Sequence, residues 1–596
     1  MNDRKSSSLV LKPSIFLILL LGLMCKISPA AQDLYSDTWT ATDSLGRTLP
    51  DAKQVGQPKP HKWVGIFYWT WHTMHGKQGP YDNTQIITAD PNHPQFGPLH
   101  APHHWGKPEL GYYISTDPFV LRKHAAMLTD AGVDVVLFDT TNPPFTFKES
   151  YMALCEVFTQ VQKEGNPVPQ IAFICPFGDP TTVVEQVYRD LYEPGQYRSL
   201  WFQWKGKPLI LADPAYLKDP KMKAFFTFRK PMPTYFDGPT GPNQWGWLEV
   251  FPQHAFYGGK PEQIEQVTVG VAQNAVHEKL GPMSHKDGAY GRSRHNGQKD
   301  PAPDAVLHGY NFQEQWDRAL QLDPPFIFIT GWNEWVAGRF VEWAGYTGKD
   351  TYYPDAVFVD QYSQEYSRDV EPMEGGHGDN YYYQMVANIR RFKGVRPLPI
   401  SNGPKTIAVD GLFEEWESVR PEYRDTIGDT AHRDHAGYGS LRYTNTTGRN
   451  DFVAMKAAYD AKNVYFYAQT QESITAPEGQ SWMLLFIDAD QNAKTGWNGY
   501  DYLLNRSISD NGKTTVYRWD AAQWTKHAEA AYRTKDNQME MAVERGLVGL
   551  QGNPLRFDFH WADNMQNTQN ITEFAINGDS APNRRFNYRF QSAETK

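Results

Sequence analysis

The sequence predicts a (β/α)8 TIM barrel of the α/β class followed by an all-β sandwich, on three observations. Between Trp63 and about Arg391, eight apolar runs of five to seven residues recur, and most end in a polar or aromatic residue followed by turn chemistry. Continuous apolar runs, unlike alternating ones, fit strands covered on both faces, as in parallel sheets. Helix patterns lie between several of the runs. After a Pro/Gly-rich break, the texture changes to short aromatic and β-branched runs separated by turns.

At the N-terminus, Arg4, Lys5 and Lys12 precede the apolar run Ile15–Met24 and the small-residue stretch Ser28-Pro-Ala-Ala31. This pattern reads as a secretory signal peptide over residues 1–31. The run is shorter than the ~20 residues of a spanning helix, so no transmembrane segment is expected and the mature chain is placed outside the cytoplasm, secreted or periplasmic. Cys25 raises an outer-membrane lipoprotein as the weaker alternative, because Met24 stands where lipoprotein cleavage wants a small side chain. Residues 32–60 form an N-terminal extension.

The barrel is assigned to residues 61–395. Its eight runs are Val64–Trp69, Val133–Asp139, Gln170–Pro176, Pro208–Asp213, Phe225–Arg229, Gly246–Phe251, Gln266–Ala272 and Pro325–Gly331. Ser115-Thr-Asp-Pro118 offers a cap with proline in the first turn of a helix that runs to Asp130-Ala-Gly132. Leu154, Val157, Phe158 and Val161 keep the spacing of a half-buried helix closed by Gly165. Phe312, Trp316 and Leu320 lead into the last run, and Tyr382, Val386, Ile389 and Phe392 follow it. The stretch from Asp213 to Phe225 is short for a full helix, so an irregular barrel is expected there. A linker spans 396–404, and Phe452–Tyr459, Val464–Gln469 and Trp482–Asp488 mark strands of a sandwich over 405–596.

Composition limits the function. The 596 residues carry 58 Lys and Arg against 68 Asp and Glu, a net charge of −10, which argues against a nucleic-acid partner. Apart from Cys25, the cysteines are Cys155 in a helix pattern and Cys175 in an apolar run. Both read as buried free thiols.

In a (β/α)8 barrel the active site lies at the carboxyl ends of the strands, where Asp139, Glu249 and Glu334 stand. Glu334 is the foremost candidate: a charge between Trp332 and Trp335 at the end of an apolar strand has a catalytic task, or else a partner such as Arg339 offsetting its desolvation. Asp139 could equally shape the barrel mouth, and Glu249 could face the interior. Trp69, Trp71, Trp105, Trp245, Trp247, Trp332, Trp335 and Trp343 cluster in or beside the predicted mouth, and an indole face suits the C–H-rich face of a pyranose. His72, His75, His100, His103 and His104 match no standard metal spacing. Lys286, Arg292, Arg294 and His295 form a basic segment that could clamp an anionic group on a substrate or could simply be solvated. In the C-terminal region Asp488, Asp490 and Asn492 place oxygens at alternate positions, as calcium loops do, with an Asx-rich turn as the alternative.

The string Gly331-Trp-Asn-Glu-Trp335 resembles the motif of the family 99 glycoside hydrolases, the endo-α-mannosidase and mannanase group. The resemblance covers roughly residues 60 to 395. It implies that Glu334 is one of a catalytic carboxylate pair. In that family the second Glu lies three residues on, and cleavage retains configuration with help from the sugar 2-hydroxyl. Here that position is Ala337, so the second carboxylate comes from elsewhere. Val409-Asp-Gly-Leu-Phe-Glu-Glu-Trp416 and the Asp488–Trp497 loop are similar to the opening motif and calcium loop of family 9 carbohydrate-binding modules.

Together these readings describe a secreted glycosidase acting on a polysaccharide or complex glycan. Glu334 is its expected acid/base and Asp139 or Glu249 its second carboxylate. Trp69, Trp71, Trp105, Trp247, Trp332, Asn333, Trp335, Arg294 and Arg339 are the expected substrate contacts. No cofactor is expected for catalysis, and a structural Ca2+ is placed at Asp488, Asp490 and Asn492. The alternatives are a non-catalytic glycan-binding protein and a polysaccharide lyase.

Overall fold

The computed structural model describes residues 33–34, 36–73, 78–509 and 511–594. The predicted signal peptide, Cys25 and His75 lie outside the described residues. No helix of the described residues is long and apolar enough to cross a membrane.

Eight parallel strands form a nearly closed barrel: β1 (Trp63–Tyr68), β2 (Val135–Asp139), β3 (Gln170–Ile174), β4 (Lys207–Leu211), β5 (Thr227–Pro231), β6 (Gln244–Trp245), β7 (Ile264–Gly270) and β8 (Phe326–Trp332). Backbone ladders run in order from β6 through β5, β4, β3, β2, β1 and β8 to β7. Between β6 and β7 no ladder closes the ring. There the Gln266 side-chain amide on β7 accepts from Gly246 N at 3.0 Å and donates to Gly246 O at 3.1 Å, so one side chain replaces a strand pair.

Alternate residues of each strand serve two buried layers. Phe67, Val135, Leu137, Ala172, Ile174, Leu209 and Phe328 fill the barrel interior, while Ile66, Val136, Phe138, Phe173, Ile210 and Ile327 pack outward under the helices. Both faces being dry explains why the strands read as unbroken apolar runs. Gly65 leaves room for its neighbours: a Cβ there would lie 2.6 Å from Phe326 and 2.8 Å from Leu137.

Helix α1 (Pro118–Ala131) starts at Asp117, whose carboxylate accepts from Phe119 N with Pro118 in the first turn, and stops at Gly132 in the left-handed region. Helix α2 (Lys148–Lys163) packs against it. Helices α3 (Thr181–Val187) and α4 (Pro220–Phe225) are short, as the short connections require. Helices α5 (Tyr310–Leu322) and α6 (Asn380–Lys393) flank β8 in sequence. The expected strand at Gly246–Phe251 is corrected: pairing ends at Trp245, and the residues after it turn away into a loop. Cys155 and Cys175 are buried free thiols.

The C-terminal region is a large antiparallel sheet. Instead of two separate sheets, a single path runs from Glu422–Arg424 through Phe452–Tyr459, Asn463–Thr470, Gln538–Glu544, Gln523–Lys535, Lys513–Asp520, Tyr502–Leu504 and Leu484–Asp488 to Arg556–Asp563. The path doubles back on itself, so Phe466 meets Phe557 and Phe559 from the far end at 5.7 and 5.8 Å. Asp33–Leu34 add a parallel strand beside Glu422 and Tyr423, and Trp39 packs edge-on against Phe586 and Tyr588. Buried ion pairs join this sheet to the barrel, with Arg433 on Asp117 and Arg584 on Glu109.

Candidate active site

The carboxyl end of β8 turns sharply at Asn333, whose φ of 58° is left-handed. The Asn333 side chain accepts from Trp69 N at 2.8 Å and donates to Trp69 O at 3.0 Å, pinning the end of β1 to the end of β8. Its backbone N–H donates to Asp369 at 3.0 Å, and its carbonyl lies 2.6 Å from His72 Nε2. This turn aims Glu334 across the mouth.

Glu334 is fully buried. Arg368 grips it through two parallel bonds, Nε to Oε2 and Nη2 to Oε1, both 2.8 Å. The same Nη2 donates to Asp360 Oδ1 at 3.1 Å, and Nη1 donates to Asn274 Oδ1 at 2.8 Å. Tyr235 O–H also donates to Asn274 Oδ1. The guanidinium lies 5.3 Å from the centre of the Trp247 ring. Burial pushes the Glu334 pKa up to about 7. Arg368 opposes that shift, while Asp360 and Asp139 add to it. Desolvation therefore outweighs the ion pair at the glutamate, although the arginine keeps its charge.

Asp139, the last residue of β2, is also buried, and it accepts from Thr141 N and Oγ1 at 3.0 and 2.8 Å. Burial raises its pKa to about 6, with Asp360 contributing and the Thr141 bonds opposing. Glu334, Asp139, Asp360 and Arg368 thus form one electrostatic group. Asp360 is its exposed member, with 37% of its side chain in solvent.

Glu249 does not belong to this group, which corrects its candidacy. His254 meets it through Nδ1 at 2.8 Å and through its backbone N–H at 3.0 Å. Arg339 is not the partner of Glu334 either. It donates to the carbonyls of Gly97 and Asp355 and packs over Phe96. Arg294 lies over the Tyr290 ring at 3.8 Å, in a separate cavity of about 490 Å³ with Phe236, Val250 and Glu314.

The indoles are dispersed. Trp69 and Trp71 lie 4.5 Å apart, and Phe147 stacks on Trp71 at 5.0 Å, forming one aromatic wall. Trp247 covers Arg368 and touches Phe67 and Phe177. Trp105 and Trp335 stack at 4.6 Å beneath the turn, where Trp105 Nε1 donates to Glu334 O and Trp335 Nε1 to Glu371. These last two support the turn from below and do not face the mouth. Trp332 points outward to His124 and Tyr382, and Trp245 sits on Phe326 in the barrel interior, so neither is a rim residue. Trp343 is half-buried on a two-stranded hairpin.

Below the turn, Glu371 receives Tyr113 O–H at 2.7 Å and lies 2.8 Å from His124 Nε2, with Tyr68 O–H 2.8 Å from His124 Nδ1. His103 lies against the Ala101 carbonyl and accepts from Gly97 N, so its ring nitrogens are engaged locally.

Sequence reasoning missed Arg368, Asp360, Asn274 and Tyr235. One signal was available for Asp360, because the apolar run Val357-Phe-Val359 ends on it as the barrel strands end on theirs. Arg368 carried none.

In the C-terminal loop, Asp488, Asp490 and Asp501 each offer an oxygen, all within 4.8 Å of one another. The Asn492 backbone N–H donates to Asp490, and its side-chain oxygen accepts from Lys494 N at 3.1 Å. Burial and the neighbouring carboxylates of Asp558, Asp501 and Asp490 raise the Asp488 pKa to about 8.

Comparison of the sequence with protein families and with curated proteins gives no match. Among solved structures, the chain is similar to the GH99 endo-alpha-mannosidase from Bacteroides thetaiotaomicron. That match has 15% identity and a TM-score of 0.30, and covers 55% of this chain and 97% of that one. The structure of the complex with bis-tris-propane gives 16% identity and a TM-score of 0.32, covering 56% and 98%. At these values the likeness bears on neither activity nor substrate.

Proposed function

We propose that the protein is a secreted glycoside hydrolase acting on a polysaccharide or complex glycan, with Glu334 and Asp360 as its carboxylate pair. One observation carries this reading. Arg368 Nη2 touches both a buried glutamate whose proton is held up to about pH 7 and a half-exposed aspartate, at the carboxyl end of the barrel. Glycosidases need one carboxyl group protonated and one ionised on either side of the scissile bond.

Glu334 gives its proton to the departing glycosidic oxygen as the Asp360 carboxylate takes the anomeric carbon. Water, deprotonated by Glu334, then displaces Asp360. The two oxygens bonded to Nη2 lie no more than about 6 Å apart, and the double displacement retains configuration. Substrate hydroxyls must draw Arg368 off one oxygen of Glu334 for this to proceed. The aromatic wall of Trp69, Trp71 and Phe147 and the Trp247 face would hold the pyranose rings. Asp139, buried and bonded to Thr141, tunes the pair electrostatically.

The signal-peptide pattern supports an extracytoplasmic location. The three carboxylates of the Asp488 loop support a structural calcium ion there, with no cofactor needed for catalysis.

A second reading is favoured by a specific observation: both oxygens of Glu334 are occupied by Arg368, as suits a non-catalytic glycan-binding protein. Hydrolysis of a panel of plant, algal and host glycans by wild type, Glu334→Gln and Asp360→Asn separates the two. The enzyme reading requires reducing ends from wild type and a loss of at least a hundredfold in each variant. Glycan retention on an affinity gel with no release of ends selects the binding protein.

A further inference from the structure

Four aspartates far apart in sequence meet where the C-terminal sheet docks on the barrel. Asp425 follows the strand Glu422–Arg424, Asp429 lies in the next turn, Asp451 precedes Phe452–Tyr459, and Asp579 opens Asp579–Ala581. Asp425, Asp429 and Asp579 each place a carboxylate oxygen within 4.8 Å of the others, and all three are more than nine-tenths buried. This is a costly arrangement without a compensating charge. Against it stands Lys123 of α1, 3.4 Å from Asp429 Oδ2.

The group is oriented as a ligand set is. Asp579 accepts from Phe452 N at 2.7 Å and Ser580 N at 2.8 Å, and Asp451 accepts from Gly428 N at 2.8 Å. The amides hold both oxygens of Asp579 and one of Asp451, Lys123 faces one oxygen of Asp429, and Asp451 Oδ1 and Asp429 Oδ1 are left without a hydrogen-bond partner. Asp425 goes further, because neither of its oxygens has a partner despite 92% burial. An unpartnered, buried, bidentate-capable carboxylate aimed into a ring of others is what a bound cation would satisfy.

We propose that Asp425, Asp429 and Asp579, with Asp451 beside them, bind a Ca2+ ion that clamps the C-terminal sheet to the barrel, distinct from the Asp488 loop. The donors are all hard oxygens. Ca2+ accepts about six to eight such oxygens in flexible geometry, whereas Mg2+ demands a near-ideal octahedron and keeps several waters. Asp425 also lines a cleft of about 1350 Å³, between α1, α6 and the sheet, which gives the ion a route from solvent. Lys123 and Asp130 of α1 border the group from the barrel side, with Asn583 bonded to Asp130 at 3.2 Å. The ion would therefore neutralise a charge held between two units.

The test uses the full chain, stripped with EDTA and desalted, then titrated with CaCl2 by calorimetry and followed by thermal unfolding. Wild type should gain roughly 5 °C in Tm at saturating calcium. Asp488→Asn should keep a gain, and Asp425→Asn should lose one binding site and most of the rise. Without calcium, Asp425→Asn should be at least as stable as wild type, because it removes a buried charge. If Asp425→Asn does not fold, the half-buried Asp451→Asn should still bind calcium about tenfold more weakly. Terbium luminescence sensitised by the neighbouring Tyr588 should fall in step. Equal calcium stoichiometry in wild type and Asp425→Asn, or a wild-type Tm indifferent to both calcium and EDTA, would overturn the proposal and leave the carboxyl groups protonated.

Discussion

Arg368 holds Glu334 through two parallel bonds of 2.8 Å in a site where neither side chain meets solvent to any extent. Breaking such a pair on one side strands a charge in low dielectric, at a cost of about 3–5 kcal/mol. Arg368→Met should therefore destabilise the chain by about that amount in urea unfolding near neutral pH. Glu334→Gln keeps the shape and one acceptor while its NH2 loses the second bond, and Arg368 retains Asp360 as a counter-charge, so it should cost less than the arginine change. Equal costs would mean that the bidentate pair is not what anchors this turn.

The raised pKa of Glu334 has a definite sign in linkage. Its folded value of about 7 exceeds an unfolded value near 4.5, so the folded state binds the proton more tightly. That contribution is complete below about pH 4.5 and is lost as pH rises towards 7. Wild type should lose of order 3 kcal/mol relative to Glu334→Gln across that window. Paired denaturant titrations at several pH values measure the difference. For the enzyme reading, the rate should also fall above about pH 7 as the acid loses its proton. A wild-type to Glu334→Gln stability difference that is flat with pH would contradict the assignment.

Trp71 forms the middle of the aromatic wall, between Trp69 and Phe147. Trp71→Ala should raise KM about tenfold with kcat changed less than threefold, as expected for a stacking platform. Steady-state kinetics on an oligosaccharide long enough to span the wall read the split. A fall in kcat with unchanged KM would instead place Trp71 against the reacting sugar.

The barrel strands were most legible where both faces are dry, which leaves a nearly unbroken apolar run at each of β1 to β4 and β8. The sixth was misplaced by a few residues. Gly246–Phe251 is equally apolar, yet only Gln244 and Trp245 pair with β5, and hydrophobicity alone cannot tell a paired strand from a buried loop. The same ambiguity hid the direction of Glu249, which the loop turns towards His254. The fold class of the C-terminal region was readable from turn spacing, whereas its single continuous path depends on register between distant strands. The site was harder to read. Arg368 lies 34 residues beyond Glu334 in a segment with no periodicity, and the four aspartates at the docking face span residues 425 to 579 with no shared motif. Such groupings are products of tertiary structure and leave no local trace.

Gln266 offers a test of how the barrel closes. Between β6 and β7 its amide takes the place of a ladder, accepting from Gly246 N at 3.0 Å and donating to Gly246 O at 3.1 Å, and it is wholly buried. A leucine there would fill much the same volume but leave a buried N–H and a buried C=O without partners, each worth about 1–3 kcal/mol. Gln266→Leu should therefore destabilise by roughly 3 kcal/mol, and hydrogen exchange at Gly246 should become faster than at amides of the β1–β8 ladder. Gln266→Glu can still accept from the amide but cannot donate while ionised, so it should lie between wild type and leucine and recover towards wild type as pH falls and the carboxyl gains a proton. If leucine proves neutral, the closure is carried by packing of Phe256 and Trp245 rather than by the amide, and the ring is open there in hydrogen-bonding terms.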